Sequence, residues 1–232
     1  MAEEVVLITG TSRGVGHYLV THFVRRGDIV IGCSRGNVKV DLPNYQHFTL
    51  DVTDEMAVRQ MVQNIRHSYG RLDILINNAG IGSLNHILLM PTDTARRLLE
   101  INVLGTFIVA REATRLMEQN LYGRIINIGT VAVPMRIEGE ALYAASKNAV
   151  VSFTQILARE LAPFNITCNL VGPAPIQTDM ISGLPQEKIA QIIDRLAIKR
   201  LCNVEDVANV VDFFVSRRSD YVTGQTVYLG GV

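Results

Sequence analysis

The chain has no tryptophan, and its 232 residues include only three cysteines and seven prolines. Cys33, Cys168 and Cys202 are odd in number and lack metal-ligand spacing, which excludes a disulfide framework and a zinc site. Cys33 and Cys168 fall in apolar, strand-like runs, where a free thiol behaves as a small hydrophobe. Long hydrophobic runs are missing too. Stretches such as Ile74 to Ile76 and Val131 to Val133 are short and bounded, far from the roughly 18 residues that suggest a membrane span. The opening MAEEVVLITG has neither the basic start nor the long apolar region of a signal peptide, so a cytoplasmic protein is expected. Neither sign of charge is in excess: 22 Lys plus Arg balance 22 Asp plus Glu. A nucleic-acid binder would show a basic excess or stripe, and Arg25-Arg26 and Arg217-Arg218 read as solvated helix ends. There is no repeat and no low-complexity linker. Nucleic acid, membrane and metal are therefore not expected partners.

What is present is a 48% hydrophobic share, enough for a sizeable core. Val5 to Thr9 is a continuous apolar run, as suits a strand covered on both faces. A glycine-rich turn follows, then a helix over Val15 to Arg26 with Gly27 placed to stop it. Strands are predicted over Asp28 to Cys33 and Gln46 to Leu50. The short link between these two, with Gly36, Asn37, Pro43 and Asn44, predicts a loop rather than a crossover helix. Asp51 or Thr53 can cap a helix over Glu55 to Tyr69. Further strands are expected at Asp73 to Asn77, Gly123 to Ile128, Ile166 to Val171 and Thr226 to Leu229. Helices are expected at Asp93 to Gln119, Ala141 to Leu161 and Val204 to Val215. Ile176 to Arg200 reads as a mobile substrate-side segment. Strands alternating with helices predict one α/β domain over residues 1–232: a Rossmann-type, doubly wound parallel sheet of about seven strands with helices on both faces. Ligands in such sheets bind beyond the carboxyl ends of the strands, at a switch point.

After the first strand the chain reads TGTSRGVG, with Gly10, Gly14 and Gly16 at a strand-to-helix junction. Glycines there let the backbone turn tightly and approach a phosphate, and the following helix offers its N-terminal N–H groups to the anion. An NAD site usually has a carboxylate at the end of the second strand. This chain has Ser34 and Arg35 instead, and Arg13 inside the turn. A hydroxyl and two guanidinium groups suit a 2′-phosphate, which favours NADP(H) over NAD(H). Tyr143 and Lys147 are four residues apart on one helix face. A free Tyr has a pKa near 10. A cation one turn away is expected to lower it towards useful acid–base range.

This turn, N77-N78-A79-G80 after the fourth strand, and Y143-A-A-S-K147 together resemble the short-chain dehydrogenase/reductase family over nearly the whole chain. The segment N169-L-V-G-P-A-P-I-Q-T-D-M180 is most similar to that in the 3-oxoacyl-carrier-protein-reductase-like members. The resemblance implies an NADP(H)-dependent oxidoreductase that reduces a ketone or 3-oxoacyl carbonyl, or runs the reverse. It implies cofactor contacts from Gly10, Ser12, Arg13, Gly14, Val15, Gly16, Ser34 and Arg35. Asp51 and Val52 would flank the adenine, and Asn78, Ala79 and Gly80 would line the adenosine-ribose side. Pro173, Ile176 and Thr178 would contact the nicotinamide and pyrophosphate. Asn102 would hold a relay water, Tyr143 would be the acid/base, and Lys147 would bind the nicotinamide ribose. Thr130, thirteen residues before Tyr143, stands where the family has its substrate-orienting Ser.

The chain departs from the family pattern in places. Thr130 keeps the hydroxyl but adds a methyl; Oγ1 is expected to face the cleft. Ala174 stands where the family usually has Gly after Pro173, which requires a backbone shift if the usual conformation needs φ > 0. At the positions aligned with basic carrier-protein docking residues, this chain has Leu121 and Phe164. The substrate wall is expected from Ile81 to Met90, Val131 to Glu140 and Ile181 to Ile198. It would be largely apolar through Met135, Ile137, Met180, Ile181, Leu184 and Ile189. Arg136 and Glu138 would either read a polar group or be solvated. Competing readings are a non-catalytic NADP(H) sensor or scaffold, and an epimerase or dehydratase that uses the hydride transiently. Apolar stripes on the helices over Arg96 to Gln119 and Ala141 to Leu161 suggest a homodimer or homotetramer.

Overall fold

The computed structural model describes residues 3–38, 42–177 and 186–232. Seven strands form one parallel sheet in the order β3-β2-β1-β4-β5-β6-β7. These are β1 (Val5–Thr9), β2 (Ile29–Ser34), β3 (Tyr45–Thr49), β4 (Ile74–Asn77), β5 (Gly123–Ile128), β6 (Ile166–Gly172) and β7 (Thr226–Tyr228). Alternate residues of β1 feed opposite faces, as the two-residue strand period demands. Val6 and Ile8 join a core with Leu19 and Phe23 of helix α1 (Gly14–Arg26). Val5 and Leu7 join a second core with Val58, Met61 and Ile65 of α2 (Glu55–Tyr69). The buried faces of the later helices divide the same way, so the sheet is covered on both sides.

β1 pairs with β2 on one side and β4 on the other, and the chain leaves it in opposite directions to reach them. That reversal is the switch point. It is braced from β1 itself. The Thr9 hydroxyl accepts the N–H groups of Asn78 (3.1 Å) and Ala79 (2.9 Å), and the Asn78 amide donates back to the carbonyls of Thr9 (3.0 Å) and Gly10 (3.1 Å).

Several expected elements take different bounds. The single helix over Asp93 to Gln119 is three pieces: α3 (Thr92–Leu99), a π turn (Glu100–Gly105) and α4 (Thr106–Met117), with a short 3-10 end. The cause is tertiary. Asn102 hydrogen-bonds the backbone of Ile81 in both directions, and a Cβ on Gly105 would lie 2.7 Å from Val52 Cγ2. The cap of α2 is Asp54, whose carboxylate accepts from Ala57 N, while Asp51 is engaged with Thr53. The Ile176 to Arg200 segment contains helix α7 (Gln186–Arg195). Thr178, Met180, Ile181 and Leu184 lie outside the described residues. Two further helices, α5 (Ala132–Met135) and α6 (Ala141–Leu161), follow β5, and α8 (Val204–Val215) precedes β7. Arg26 is not merely solvated: it pairs with Glu4 and Asp28.

Candidate active site

A cleft of about 800 Å³ runs along the carboxyl ends of the strands. Its floor at one end is the glycine turn. Gly10 (φ 72°) and Gly14 (φ 58°) hold left-handed backbone that other residues rarely adopt. Gly16 is needed for closeness instead: a Cβ there would lie 2.3 Å from the Gly10 carbonyl oxygen and 2.5 Å from Asn78 Nδ2. The turn is tied to β2 by Gly10 N donating to the Cys33 carbonyl at 2.8 Å. No side chain caps α1, and its first turn holds no acidic residue. Its first N–H groups therefore remain open to an anion, with the positive end of the helix dipole behind them. This cradle fits a dinucleotide pyrophosphate.

At the end of β2, Arg35 is exposed at the cleft, and Arg13 lines the cleft from the glycine turn. Ser34 is buried, and its hydroxyl donates to the Gly36 carbonyl at 2.8 Å. His47 on β3 reaches the same pair, with Nε2 3.1 Å from the Gly36 carbonyl and 3.2 Å from Ser34 Oγ. The Ser34 proton is thus committed to its own loop, and among the described residues Arg13 and Arg35 bring guanidinium groups to this end. Ser12, Val15, Asp51, Val52, Asn78, Ala79, Gly80, Pro173 and Ile176 also line the cleft. Gly16 and Asn102 stand behind its wall rather than in it.

At the far end, Thr130, Tyr143 and Lys147 share one wall. Thr130 Oγ1 accepts from Ala132 N at 3.2 Å, and Thr130 and Tyr143 line the same wall, with the Thr130 hydroxyl near enough to favour the charged phenol. Ala174 has no positive φ, and its backbone carries no strain from the missing glycine. Lys147 is buried and donates to the Ile128 carbonyl at 2.8 Å. A Cβ on Gly80 would sit 3.2 Å from Lys147 Nζ and 3.1 Å from Asn102 Oδ1, so this glycine lets the lysine in. Asn102 is fully buried and also donates to Ser146 Oγ at 3.0 Å. It locks the loop after β4 to helix α6.

The expected lowering of the tyrosine pKa is not found. Burial pushes Tyr143 up to about 12, with the neighbouring Thr130 hydroxyl pulling the other way and the Glu140 charge adding to the rise. Burial also lowers Lys147 to about 8. Both groups have lost water, and Lys147 directs its ammonium at a backbone carbonyl. Desolvation outweighs a pairwise effect across one turn. Tyr143 is consequently a protonated donor at neutral pH.

Sequence reasoning overlooked Glu140. Arg136 and Glu138 are exposed, whereas Glu140 is buried at the cleft wall. Burial raises its carboxyl from 4.5 to about 6, partly offset by Lys188. The folded state therefore holds this proton more tightly than the unfolded chain. The stability this contributes is present below pH 4.5 and is lost as pH rises through about 6. Glu140→Gln should stabilise the cofactor-free protein by about 1–2 kcal/mol at pH 7.5, with the gap closing near pH 4.5. Urea unfolding of both proteins at the two pH values checks this.

A parallel sheet with a phosphate cradle at its switch point, and a tyrosine and lysine farther along the same cleft, defines a dinucleotide-dependent oxidoreductase. Comparison with known proteins narrows the class. Residues 10–231 match the family model described as Enoyl-(Acyl carrier protein) reductase. The 3-oxoacyl-(acyl-carrier-protein) reductase FabG of Salmonella typhimurium is 35% identical over 234 residues, covering 98% of this chain and 96% of that protein. The NADP-bound structure of ElxO superposes with a TM-score of 0.90 at 27% identity, covering 98% and 97% of the two chains. A short chain dehydrogenase from Leptospira borgpetersenii with bound NAD+ gives 0.89 at 27% identity, covering 99% and 92%. The chain belongs to the short-chain dehydrogenase/reductase family. Among its described residues, no helix is long and apolar enough to cross a membrane.

Proposed function

We propose that the protein is an NADP(H)-dependent reductase of a ketone or 3-oxoacyl carbonyl, able to run in reverse on the secondary alcohol. The observation that carries this reading is Thr130, Tyr143 and Lys147 lining one cleft that is continuous with the glycine turn. Two hydroxyls meet there at the place where a substrate oxygen needs both. When bound, the nicotinamide cofactor supplies or accepts the hydride. Thr130 orients the substrate oxygen, and Tyr143 gives its phenolic proton to the developing alkoxide. Lys147 holds the ribose side and puts positive charge near the phenol as it loses its proton. Asn102 ties the loop after β4 to Ser146, next to Lys147 on α6, and is the residue to which we assign the relay water. Supporting the carbonyl class are the FabG relative and the apolar side chains of Ile137 and Ile192 along the wall. A carrier-bound substrate follows that relative by name only.

NADPH consumption, followed by absorbance with a panel of β-keto esters and cyclic ketones and with the alcohol product identified, tests the reading. Net consumption with alcohol formed supports it; binding of NADPH without consumption returns weight to a sensor or a transient-hydride enzyme.

The cofactor choice rests on Arg13 and Arg35, on the absence of a carboxylate at the end of β2, and on the NADP-bound neighbour. Charge-assisted hydrogen bonds contribute about 1.5–3 kcal/mol each. Arg35→Ala should therefore reduce kcat/KM with NADPH by about 10–100-fold and leave NADH kinetics nearly unchanged. Equal losses with both cofactors would contradict a 2′-phosphate role.

The α4 stripe of Val109, Ala110, Ala113 and Leu116 is core; what supports a homodimer or homotetramer is the exposed Leu104, Phe107 and Ile156 on the outer faces of the π turn, α4 and α6.

A further inference from the structure

Glu140 is a buried carboxylate on the cleft wall that the reductase mechanism does not use. It is the N-cap residue of α6, three residues ahead of Tyr143, and its charge acts on the phenol. Its backbone is fixed at both ends: Glu140 N donates to the Ile137 carbonyl at 3.2 Å, and its carbonyl accepts from Ala144 N at 2.7 Å. Its side chain is not used as a cap for the helix it precedes. Among the described residues the carboxyl group makes no hydrogen bond and no ion pair.

The groups around it are known. Lys188 of α7 is near enough to act on its charge but gives its ammonium to the Glu138 carbonyl at 3.0 Å. Tyr143 of α6 feels the carboxylate as a repelling charge, and Lys147 lies one turn beyond. Ile137, Leu84 and Ile192 make the rest of this wall apolar. The carboxylate makes no hydrogen bond with the described residues and its oxygens meet only cleft solvent, so a ligand that displaces this water must supply a donor or leave the charge unpaired. It is stabilised once a ligand brings the donor.

We propose that Glu140 is a specificity-determining residue, whose carboxylate accepts a hydrogen bond from a hydroxyl group of the substrate close to the carbonyl served by Tyr143. A neutral hydroxyl is favoured over an ammonium because Lys147 and Lys188 already place two cations on this side. An N-cap side chain lies over the first turn of its helix, the turn that carries Tyr143. The hydroxyl therefore lies one or two carbons from the reacting carbon, which makes α- and β-hydroxy ketones and their diols the ligand class. The inference takes the position of the reacting carbonyl from the reductase reading, but binding can be measured without turnover.

The test compares trans-1,2-cyclohexanediol with cyclohexanol, each titrated calorimetrically into the NADP+ complexes of the wild type, Glu140→Leu and Glu140→Gln. The wild type should bind the diol about tenfold more tightly. Glu140→Leu should lose that preference with NADP+ affinity unchanged, and Glu140→Gln should keep part of it, since an amide oxygen still accepts. No preference in the wild type, or a preference that survives in Glu140→Leu, overturns the proposal. A diol preference lost in Glu140→Leu, without oxidation of either alcohol, supports this inference and counts against the reductase reading instead.

Discussion

Tyr143→Phe is expected to lower kcat/KM for carbonyl reduction by about 10²–10⁴-fold, the usual contribution of a positioned acid–base group, while NADPH still binds with nearly wild-type affinity. The substitution removes one hydroxyl and keeps the ring that packs in the cleft wall. Burial holds the phenol at about 12, so it is fully protonated in the working range and its proton is available to an alkoxide. Thr130 lines the same wall and cannot replace the phenol, because a Thr hydroxyl is a far weaker acid. Stopped-flow single turnovers and a fluorescence titration of NADPH separate the two effects. A rate within a few-fold of wild type would remove Tyr143 from the chemistry. A large loss of NADPH affinity would make it a binding residue.

Gly16→Ala should damage the opposite end of the cleft. Gly16 lies within helix α1 and holds no left-handed backbone, so the effect is steric. The new Cβ would lie 2.3 Å from the Gly10 carbonyl oxygen and 2.5 Å from Asn78 Nδ2. Neither neighbour can retreat cheaply. Gly10 is tied to β2 through Cys33, and the Asn78 amide braces the switch point through Thr9 and Gly10. Overpacking of this kind costs about 1–3 kcal/mol or more, and displacing the turn should weaken NADPH binding by at least about tenfold. Gly36→Ala is the contrast for stability, since a Cβ there meets nothing within 4 Å. Urea unfolding and an NADPH titration of the two variants read both effects. Equal stability of the two would contradict the packing argument.

The strands and helices with regular periods were legible residue by residue. β1, α2, β5, α6 and α8 have the bounds that their apolar spacing predicts. The π turn was not, because its causes are distant in sequence: Val52 packs against Gly105, and Ile81 bonds Asn102. The glycine turn and the Tyr143–Lys147 pair were visible because tight turns and one-turn spacing are local properties. The commitment of Ser34 was hidden, since His47 arrives from the neighbouring strand, whose pairing sets Gly32 opposite His47 and Ser34 opposite Thr49. Glu140 was missed for a backbone reason. Arg136 at φ 51° and Gly139 at φ 86° interrupt the chain on either side of Glu138. No period then tells which charge in Arg136, Glu138 and Glu140 turns inward.

The pKa values of Tyr143 and Glu140 also show how burial shapes the site. Both acids are pushed towards their neutral forms, and Lys147 is moved the same way. An aqueous expectation about Tyr143 and Lys147 fails because it keeps the pairwise charge and omits the water that folding removes.

The central claim is that the chain transfers a hydride to a carbonyl and keeps it there. The direct measurement is reduction of a ketone by NADPH carrying deuterium at both C4 positions, with the alcohol isolated and weighed by mass spectrometry. The account predicts one deuterium on the carbinol carbon for each NADPH consumed, and almost none when Tyr143→Phe replaces the wild type. Unlabelled alcohol, or NADPH that binds and is never consumed with any carbonyl of the panel, would contradict it.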